Sequence, residues 1–153
     1  LFNQDMILKI LRGILIVVTP QFCRLVASLY FCKNKTPIGA FTIFPFIFVR
    51  DESILSNENF IRHETIHLRQ YVETLIVGLF IIGGLQYFYA RVLRKISALD
   101  SYYFMSHEQE AHQNDEDPTY LSRRAFLAYY KYLLPRNKKR ITLVDGKRTV
   151  YSK

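Results

Sequence analysis

The segment His63-Glu64-Thr65-Ile66-His67 combines residue types and a spacing that suit metal-assisted hydrolysis. On a helix, residues four apart lie one turn apart on the same face, so the imidazoles of His63 and His67 can converge on one Zn²⁺ ion. Glu64 then lies beside the metal, where its carboxylate can take a proton from water and pass it to a leaving amine. The motif therefore predicts two metal ligands and a general base on one helix.

A hydrolytic zinc site also needs a third protein ligand and one open position. The candidates lie in the segment Ser106–His112, SHEQEAH. Glu108 and Glu110 are two residues apart, about 200° around a helix, so only one of them can face the metal. We predict Glu108, because it shares its face with His112 and with the small Ala111, which permits close helix packing. Glu110 is the alternative; otherwise we expect it to be solvated or salt-bridged.

Several polar side chains near these ligands are candidates for supporting roles. His112 is a candidate partner for a metal ligand. The side chains that could polarise a substrate carbonyl are Tyr102, Tyr103, His107 and His112. Arg62, Arg69 and Gln70 flank the motif, and we expect them to be solvated.

The HExxH motif followed by E-x-E-A resembles the gluzincin metallopeptidases. It is most similar to the membrane-associated branch with the CaaX-processing and heat-shock proteases and the β-lactam-sensing receptor peptidases. There the third ligand is the first Glu of an E-x-x-x-D stretch, which matches Glu108, whereas His112 stands at the Asp position. The stretches Ile61–Gln70 and Ser106–Ala111 also resemble small uncharacterised proteins of the Bacteroidetes kind. The resemblance implies a substrate peptide along an edge strand, for which Phe41–Val49 is the candidate; the alternative is that this segment is an ordinary core strand.

The residues before the motif predict one helix and two strands. Apolar residues recur at helical spacing over Met6–Thr19, which predicts a helix that ends at Pro20. Thr36–Val49 carries no charge and is rich in Phe, Ile and Val, which predicts two short strands or one bent at Pro45. The motif helix should run from about Phe60 to Val72, after an N-cap at Ser56 or Asn57.

The residues after the motif predict further helices and a hairpin. Thr74–Ala90 has no charged residue and forms either a membrane-associated helix or a buried core helix. Ser106 and Gln109 have the spacing of a capping box for the third-ligand helix. Pro118–Leu133 reads as a helix with Asp117 as its N-cap, and Asp145-Gly146 predicts a hairpin turn in the tail.

Length and charge limit the classes of protein that fit. The 153 residues favour one domain, and half of them are hydrophobic, which excludes a disordered chain. The net charge of +8 is unevenly distributed, since residues 1–121 carry 11 basic and 12 acidic side chains and residues 122–153 carry 10 basic and one acidic. A uniformly basic nucleic-acid-binding domain is therefore a poor description. Cys23 and Cys32 form no metal or redox motif and are expected to be buried thiols.

Together these patterns predict a mainly α protein with a small β element, of the α+β class, with a compact zincin-like core. We expect a metallopeptidase-like domain at residues 1–134, a basic tail at 135–153, and Zn²⁺ on His63, His67 and Glu108. The expected partners are a peptide or protein substrate and an anionic membrane surface bound by the tail, with nucleic acid unfavoured. The expected location is the bacterial inner membrane or its cytoplasmic face, and a cytoplasmic protein is the alternative.

Two other functions fit parts of the same sequence. A non-hydrolytic metal sensor or degenerate peptidase would keep the metal ligands, and only activity on peptides separates it from the enzyme. A basic membrane-surface or nucleic-acid-binding module with an accidental HExxH would show salt-dependent binding through Arg136–Arg148, and that binding would survive loss of both histidines.

Overall fold

The computed structural model describes residues 7–31, 39–134, 140–144 and 147–151. Over these residues the protein is mainly helical with a small mixed sheet, which confirms the predicted α+β class. The four strands of the sheet, in spatial order β1-β2-β4-β3, are β1 (Ile7–Leu11), β2 (Ile14–Val18), β3 (Ala40–Ile43) and β4 (Phe46–Val49). The helices are α1 (Pro20–Phe31), α2 (Glu58–Glu73), α3 (Val77–Phe88), α4 (Ala98–Phe104), α5 (Ser106–Asn114) and α6 (Tyr120–Arg123).

The predicted helix over Met6–Thr19 is wrong, because this region forms the antiparallel hairpin of β1 and β2. Arg12 and Gly13 have φ angles of 51° and 79°, and these left-handed conformations reverse the chain where a helix would have to continue. β2 then pairs in parallel with β4 and buries Ile16 and Val18 in the core. Long-range strand pairing therefore outweighs the helical spacing of the apolar residues.

Pro20 begins α1 and does not end a preceding helix, in keeping with the preference of proline for the first helical turn. Cys23 on this helix is a buried free thiol, as predicted, and burial raises its pKa to about 11. Cys32 lies outside the described residues.

The two strands predicted in Thr36–Val49 are confirmed as β3 and β4, which form an antiparallel pair. β3 is an edge strand of the sheet. The main-chain nitrogen of Arg50 donates to the oxygen of Gly39, at 2.9 Å. Because bonded and non-bonded pairs alternate between antiparallel strands, the main-chain groups of Ala40 and Thr42 point away from β4. The edge therefore presents main-chain groups on the side away from the sheet.

α2 carries the HExxH motif and packs under the sheet. Its N-cap is Asn57, one of the two predicted residues, whose side chain accepts from the nitrogen of Phe60 at 3.2 Å. Ile61 anchors α2 in the sheet core, because it belongs to one buried cluster with Ile16, Val18, Ile47 and Val49. The sheet and the motif helix are thus one packed unit.

A sharp break separates α2 from α3. Leu75 and Ile76 have left-handed φ angles of 53° and 66°, and the chain turns there by 108°. α3 continues through a π-helical turn, Tyr89–Leu93. Within the described ranges no single helix has both the length and the apolar composition to cross a membrane, and α2 with Val77–Leu93 meets those criteria only as this bent pair.

The predicted capping box of α5 is wrong, because Met105 is the N-cap and Ser106 is already helical. The side chain of Gln86 on α3 takes the capping role. Its Oε1 accepts from the main-chain nitrogen of Ser106 at 2.6 Å, and its Nε2 donates to the hydroxyl of the same serine at 3.0 Å. One polar residue of an apolar helix therefore satisfies the buried start of the next one.

The continuous helix predicted over Pro118–Leu133 is also wrong. α6 spans only four residues, Leu127 adopts a left-handed conformation, and Ala128–Leu133 forms a 3₁₀ helix. The break coincides with Arg124, whose side chain turns inward to two buried carboxylates. In the tail, the predicted hairpin strands are confirmed as β5 (Arg140–Val144) and β6 (Lys147–Tyr151), while residues 145–146 lie outside the described ranges.

Candidate metal centre

Close packing of α2 against α5 builds the centre. The small side chain of Ala111 is fully buried in one cluster with Ile66 of α2 and Tyr120 of α6. This agrees with the predicted use of Ala111, since a larger residue would hold the two helices apart. The contact brings the histidines of α2 and the carboxylates of α5 together.

The three residues predicted as metal ligands meet at their polar tips. The Nε2 atoms of His63 and His67 are 3.2 Å apart. Oε2 of Glu108 lies 3.7 Å from Nε2 of His63, and Oε1 lies 3.4 Å from Nε2 of His67. Four atoms that bind one Zn²⁺ tetrahedrally at about 2.1 Å lie about 3.4 Å from one another. The distances between neighbouring donor atoms are therefore close to those around one ion, with His63 approaching Oε2 and His67 approaching Oε1 of Glu108.

His112 joins the same cluster from the other side of the carboxylate. Its Nε2 lies 3.4 Å from Oε2 of Glu108, whereas His67 approaches Oε1. The donor atoms of His63, Glu108 and His112 all lie within 4.8 Å of one another, and the three residues are buried. This group can hold a metal ion. His112, predicted as a supporting residue, thus lies among the donor atoms.

Two residues behind the histidines fix their orientation. Nδ1 of His63 lies 3.0 Å from Oδ2 of Asp115, and Nδ1 of His67 lies 2.8 Å from Oε1 of Gln70. Such partners orient the ring and leave Nε2 for the metal. The sequence reasoning missed Asp115 in this role, although its position seven residues after Glu108 places it two turns along the same helix face.

Gln70 was predicted to be solvated, and the structure contradicts this because the residue is fully buried. Its Nε2 donates to Oε2 of Glu110 at 2.9 Å and to the main-chain oxygen of His107 at 3.1 Å. Gln70 therefore connects the imidazole of His67 to a second polar cluster. Its spacing of three residues from His67, on one face of α2, was the available signal.

The second cluster centres on Glu110, which is salt-bridged and fully buried rather than solvated. Arg124 forms ion pairs with Glu110 and with Glu73, and all three side chains are at most 9% exposed. The hydroxyl of Tyr120 donates to Oε1 of Glu110 at 2.9 Å. Glu110 is thus oriented away from the metal centre, which agrees with Glu108 as the ligand.

The two arginines that flank the motif, Arg62 and Arg69, differ in their contacts and exposure. Arg62 donates to the main-chain oxygen of Asp115 and, at 3.1 Å, to Oδ1 of Asn59, so it supports the loop that holds Asp115. The prediction that Arg62 is merely solvated is therefore incomplete. Arg69 is exposed, as predicted.

Burial and the neighbouring charges shift the ionisation of the cluster. Burial disfavours the charged form of His63, but hydrogen bonds to Asp115 and Glu108 outweigh it and raise the pKa to about 9. The same competition, with Glu108 as the main partner, raises the pKa of His67. Burial alone would raise the pKa of Glu108, but the attraction of His67 and His63 holds it well below its usual value. These shifts keep Glu108 ionised and favour positive charge on the imidazoles of His63 and His67 beside it.

Glu64, the predicted general base, is buried beside the centre and is held from the edge strand. The hydroxyl of Thr42 donates to Oε2 of Glu64 at 2.6 Å. The hydroxyl of Tyr71 in turn donates to the main-chain oxygen of Thr42 at 3.0 Å. Thr42, which the sequence reasoning did not single out, thus links the edge strand to the motif helix.

A cavity of about 450 Å³ opens over the centre and is lined by β3, α2 and α3 together with the predicted tyrosines. Burial and the nearby carboxylate of Glu108 raise the pKa of Tyr102 well above its usual value. The ring of Tyr103 packs edge-on against His112, with centroids 5.1 Å apart. His107 lies against Gly83 of α3, where an added Cβ would come within 2.7 Å of its Cε1 atom. All four candidate polarising residues therefore border the cavity.

Comparisons with family models, with curated proteins and with solved structures give no match to this chain. The resemblance to gluzincins therefore stays a prediction.

Proposed function

We propose that the protein is a zinc-dependent metallopeptidase whose ion is held by His63, His67 and Glu108. The observation that carries the proposal is the meeting of these three donors in one buried cluster, with Glu64 beside it under an edge strand. The carboxylate of Glu108 would partly neutralise the charge of the ion. The imidazoles of His63 and His67 are oriented by Asp115 and Gln70. Nitrogen and oxygen donors in this number suit zinc.

The chain's own groups would perform the proton transfers. A zinc ion bound here would supply Lewis acidity that activates water and polarises a carbonyl. Glu64 accepts a proton from the attacking water and delivers it to the leaving amine. The hydrogen bond from Thr42 fixes one oxygen of that carboxylate, which keeps its orientation constant between the two transfers.

The edge strand supplies a docking site for the substrate backbone. The main-chain groups of Ala40 and Thr42 point away from β4, and β3 lines the cavity over the centre. An extended peptide that pairs with β3 would pass over Glu64 and the metal donors. Because Tyr71 already donates to the oxygen of Thr42, we expect pairing chiefly through Ala40 and the nitrogen of Thr42.

Bound zinc and peptide hydrolysis by the purified chain test the proposal. Glu64→Gln should keep about one equivalent of zinc and lose about 10²- to 10⁴-fold in activity on a peptide library. His63→Ala should lose the zinc as well. Glu58→Gln is the matched control, because Glu58 lies on the same helix but is exposed and paired with Arg12. Full activity of the Glu64 variant, or a protein without zinc from zinc-replete cells, would contradict the proposal.

A non-hydrolytic metal-binding role is the second candidate, and the position of His112 favours it. If His63, Glu108 and His112 act together with His67, four protein ligands close the site, as in structural zinc sites. Substitution of cobalt for zinc distinguishes the two arrangements by the visible absorption of the ion. An unchanged spectrum in His112→Ala supports the open, hydrolytic site, whereas a marked change together with an inactive wild type supports the closed one.

A further inference from the structure

We propose that the outward face of α3 and the π turn docks on the surface of an anionic lipid bilayer. This inference is independent of the zinc chemistry. The face, called here the apolar stripe, consists of large side chains at intervals of three or four residues that are each more than half exposed: Val77, Ile81, Leu85, Phe88 and Val92. A contiguous exposed apolar patch of this kind marks an interaction surface.

The opposite side of α3 explains why the stripe must face outward. Leu79 and Gly83 are buried, and Gly83 lies so close to His107 that a Cβ would clash. Gln86 is hydrogen-bonded to Ser106 at the start of α5. Because these contacts fix the rotation of the helix about its axis, the stripe cannot turn inward without breaking them.

The charges beside the stripe identify the partner as a lipid surface. Residues 74–97 contain three basic side chains and no acidic one. The basic residues Arg91, Arg94 and Lys95 are exposed at the end of the stripe, close to the half-exposed ring of Tyr89. Apolar side chains enter the acyl region, tyrosine favours the interface, and cations meet anionic head groups, so all three features suit one membrane surface.

The test is binding of the full-length chain to sedimented vesicles. Vesicles of phosphatidylcholine mixed with phosphatidylserine should bind the wild type, and phosphatidylcholine alone should bind it more weakly. Arg94→Gln with Lys95→Gln should lower the partition coefficient for the anionic vesicles about thirtyfold, since each cation near such a surface contributes roughly five- to sixfold. Ile81→Glu with Leu85→Glu should abolish binding to both kinds of vesicle.

Ile10→Glu is the matched control, because Ile10 is equally exposed but lies on β1, away from the stripe. It should bind vesicles like the wild type, and all variants should keep the metal content of the wild type, which separates this test from that of the enzyme. Unchanged binding of the Ile81 and Leu85 variant would overturn the proposal. The proposal would also be overturned if the wild type did not bind vesicles but self-associated or bound a protein through the stripe.

Discussion

α3 and α5 reverse the usual relation between hydropathy and burial. All seven residues Ser106–His112 of α5 are buried, although Ala111 is the only apolar one among them. α3 is built largely of apolar residues, yet Leu85 is 66% exposed and Val77 62% exposed. Buried polar groups need hydrogen-bond partners, and a row of exposed apolar side chains is unusual on a folded protein, so the two helices call for different explanations.

The burial of α5 is possible because partners reach it from three directions. α2 supplies Gln70 to Glu110, α3 supplies Gln86 to Ser106, and the segment after α6 supplies Arg124. Connected networks of this kind stabilise a fold when complete and are costly when one member is missing. The stripe on α3 has no comparable internal role, so the two helices should respond to mutation in opposite ways.

The strongest test of this contrast is Arg124→Ala. It leaves Glu73 and Glu110 as buried carboxylates without their cation, which should lower the free energy of unfolding by about 3–5 kcal/mol. Urea denaturation measures this loss. Arg123→Ala is the control, because the neighbouring side chain is 61% exposed in its pair with Asp117 and should change stability by less than about 1 kcal/mol. Equal effects of the two variants would show that the network contributes little.

The metal-free protein should show a pH dependence of stability that originates in the donor cluster. In the metal-free protein the pKa of His63 rises from 6.5 to about 9, so its protonated form stabilises the fold fully below pH 6.5. That stabilisation, about 3 kcal/mol, should be lost as the pH rises through 9. Denaturation of chelator-treated protein across this range measures it. Asp115→Asn should reduce the slope, because Asp115 is the first of the hydrogen-bond partners that raise the pKa of His63. A slope equal to that of the unchanged protein would contradict the assignment.

Gln70→Ala tests the link between the polar network and the metal. Loss of the partner of His67 should weaken zinc affinity about 10- to 100-fold, as expected for a residue that orients a ligand. Competition with a chromophoric chelator measures the affinity. Arg69→Ala changes the adjacent, exposed residue and should leave the affinity unaltered. If Gln70→Ala lowers stability but keeps the affinity, its role is confined to packing.

The smallest effect on stability is expected for Leu85→Ser, on the exposed stripe of α3. This side chain has little packing to lose, so the free energy of unfolding should change by no more than about 0.5 kcal/mol. Leu79→Ser on the same helix is the control. Because Leu79 is only 5% exposed, this variant should lower the free energy of unfolding by about 2–5 kcal/mol. Thermal unfolding compares them. A large loss at Leu85 would mean that the stripe is covered within the folded chain.

The sequence was sufficient where the structure depends on local chemistry. The motif helix, its cap at Asn57 and the strands on either side of Pro45 follow from spacing and residue type. The convergence of Glu108 with both histidines could be predicted because a metal site constrains helix faces, and the small Ala111 indicated where the helices touch.

Prediction failed where distant contacts decide the conformation. The apolar spacing of residues 7–18 fits a helix, but pairing of β2 with β4 makes it a hairpin. The helix predicted over Pro118–Leu133 is interrupted where Arg124 turns toward Glu73, 51 residues earlier in the chain. Asp115 was missed for the same reason, since its partner His63 lies 52 residues earlier in the chain. The burial of Gln70 likewise depends on Glu110, 40 residues later, although its contact with His67 is local.

The inward turn of Arg124 has a consequence for synthesis of the protein. The histidines of α2 and Glu108 of α5 are all translated before this arginine, yet Glu110, the buried partner of Gln70, is paired with its guanidinium. A nascent chain that ends before Arg124 would hold every donor but leave a buried carboxylate without its counter-charge. The buried polar cluster around Glu110 would therefore be complete only after Arg124 has been made and docked.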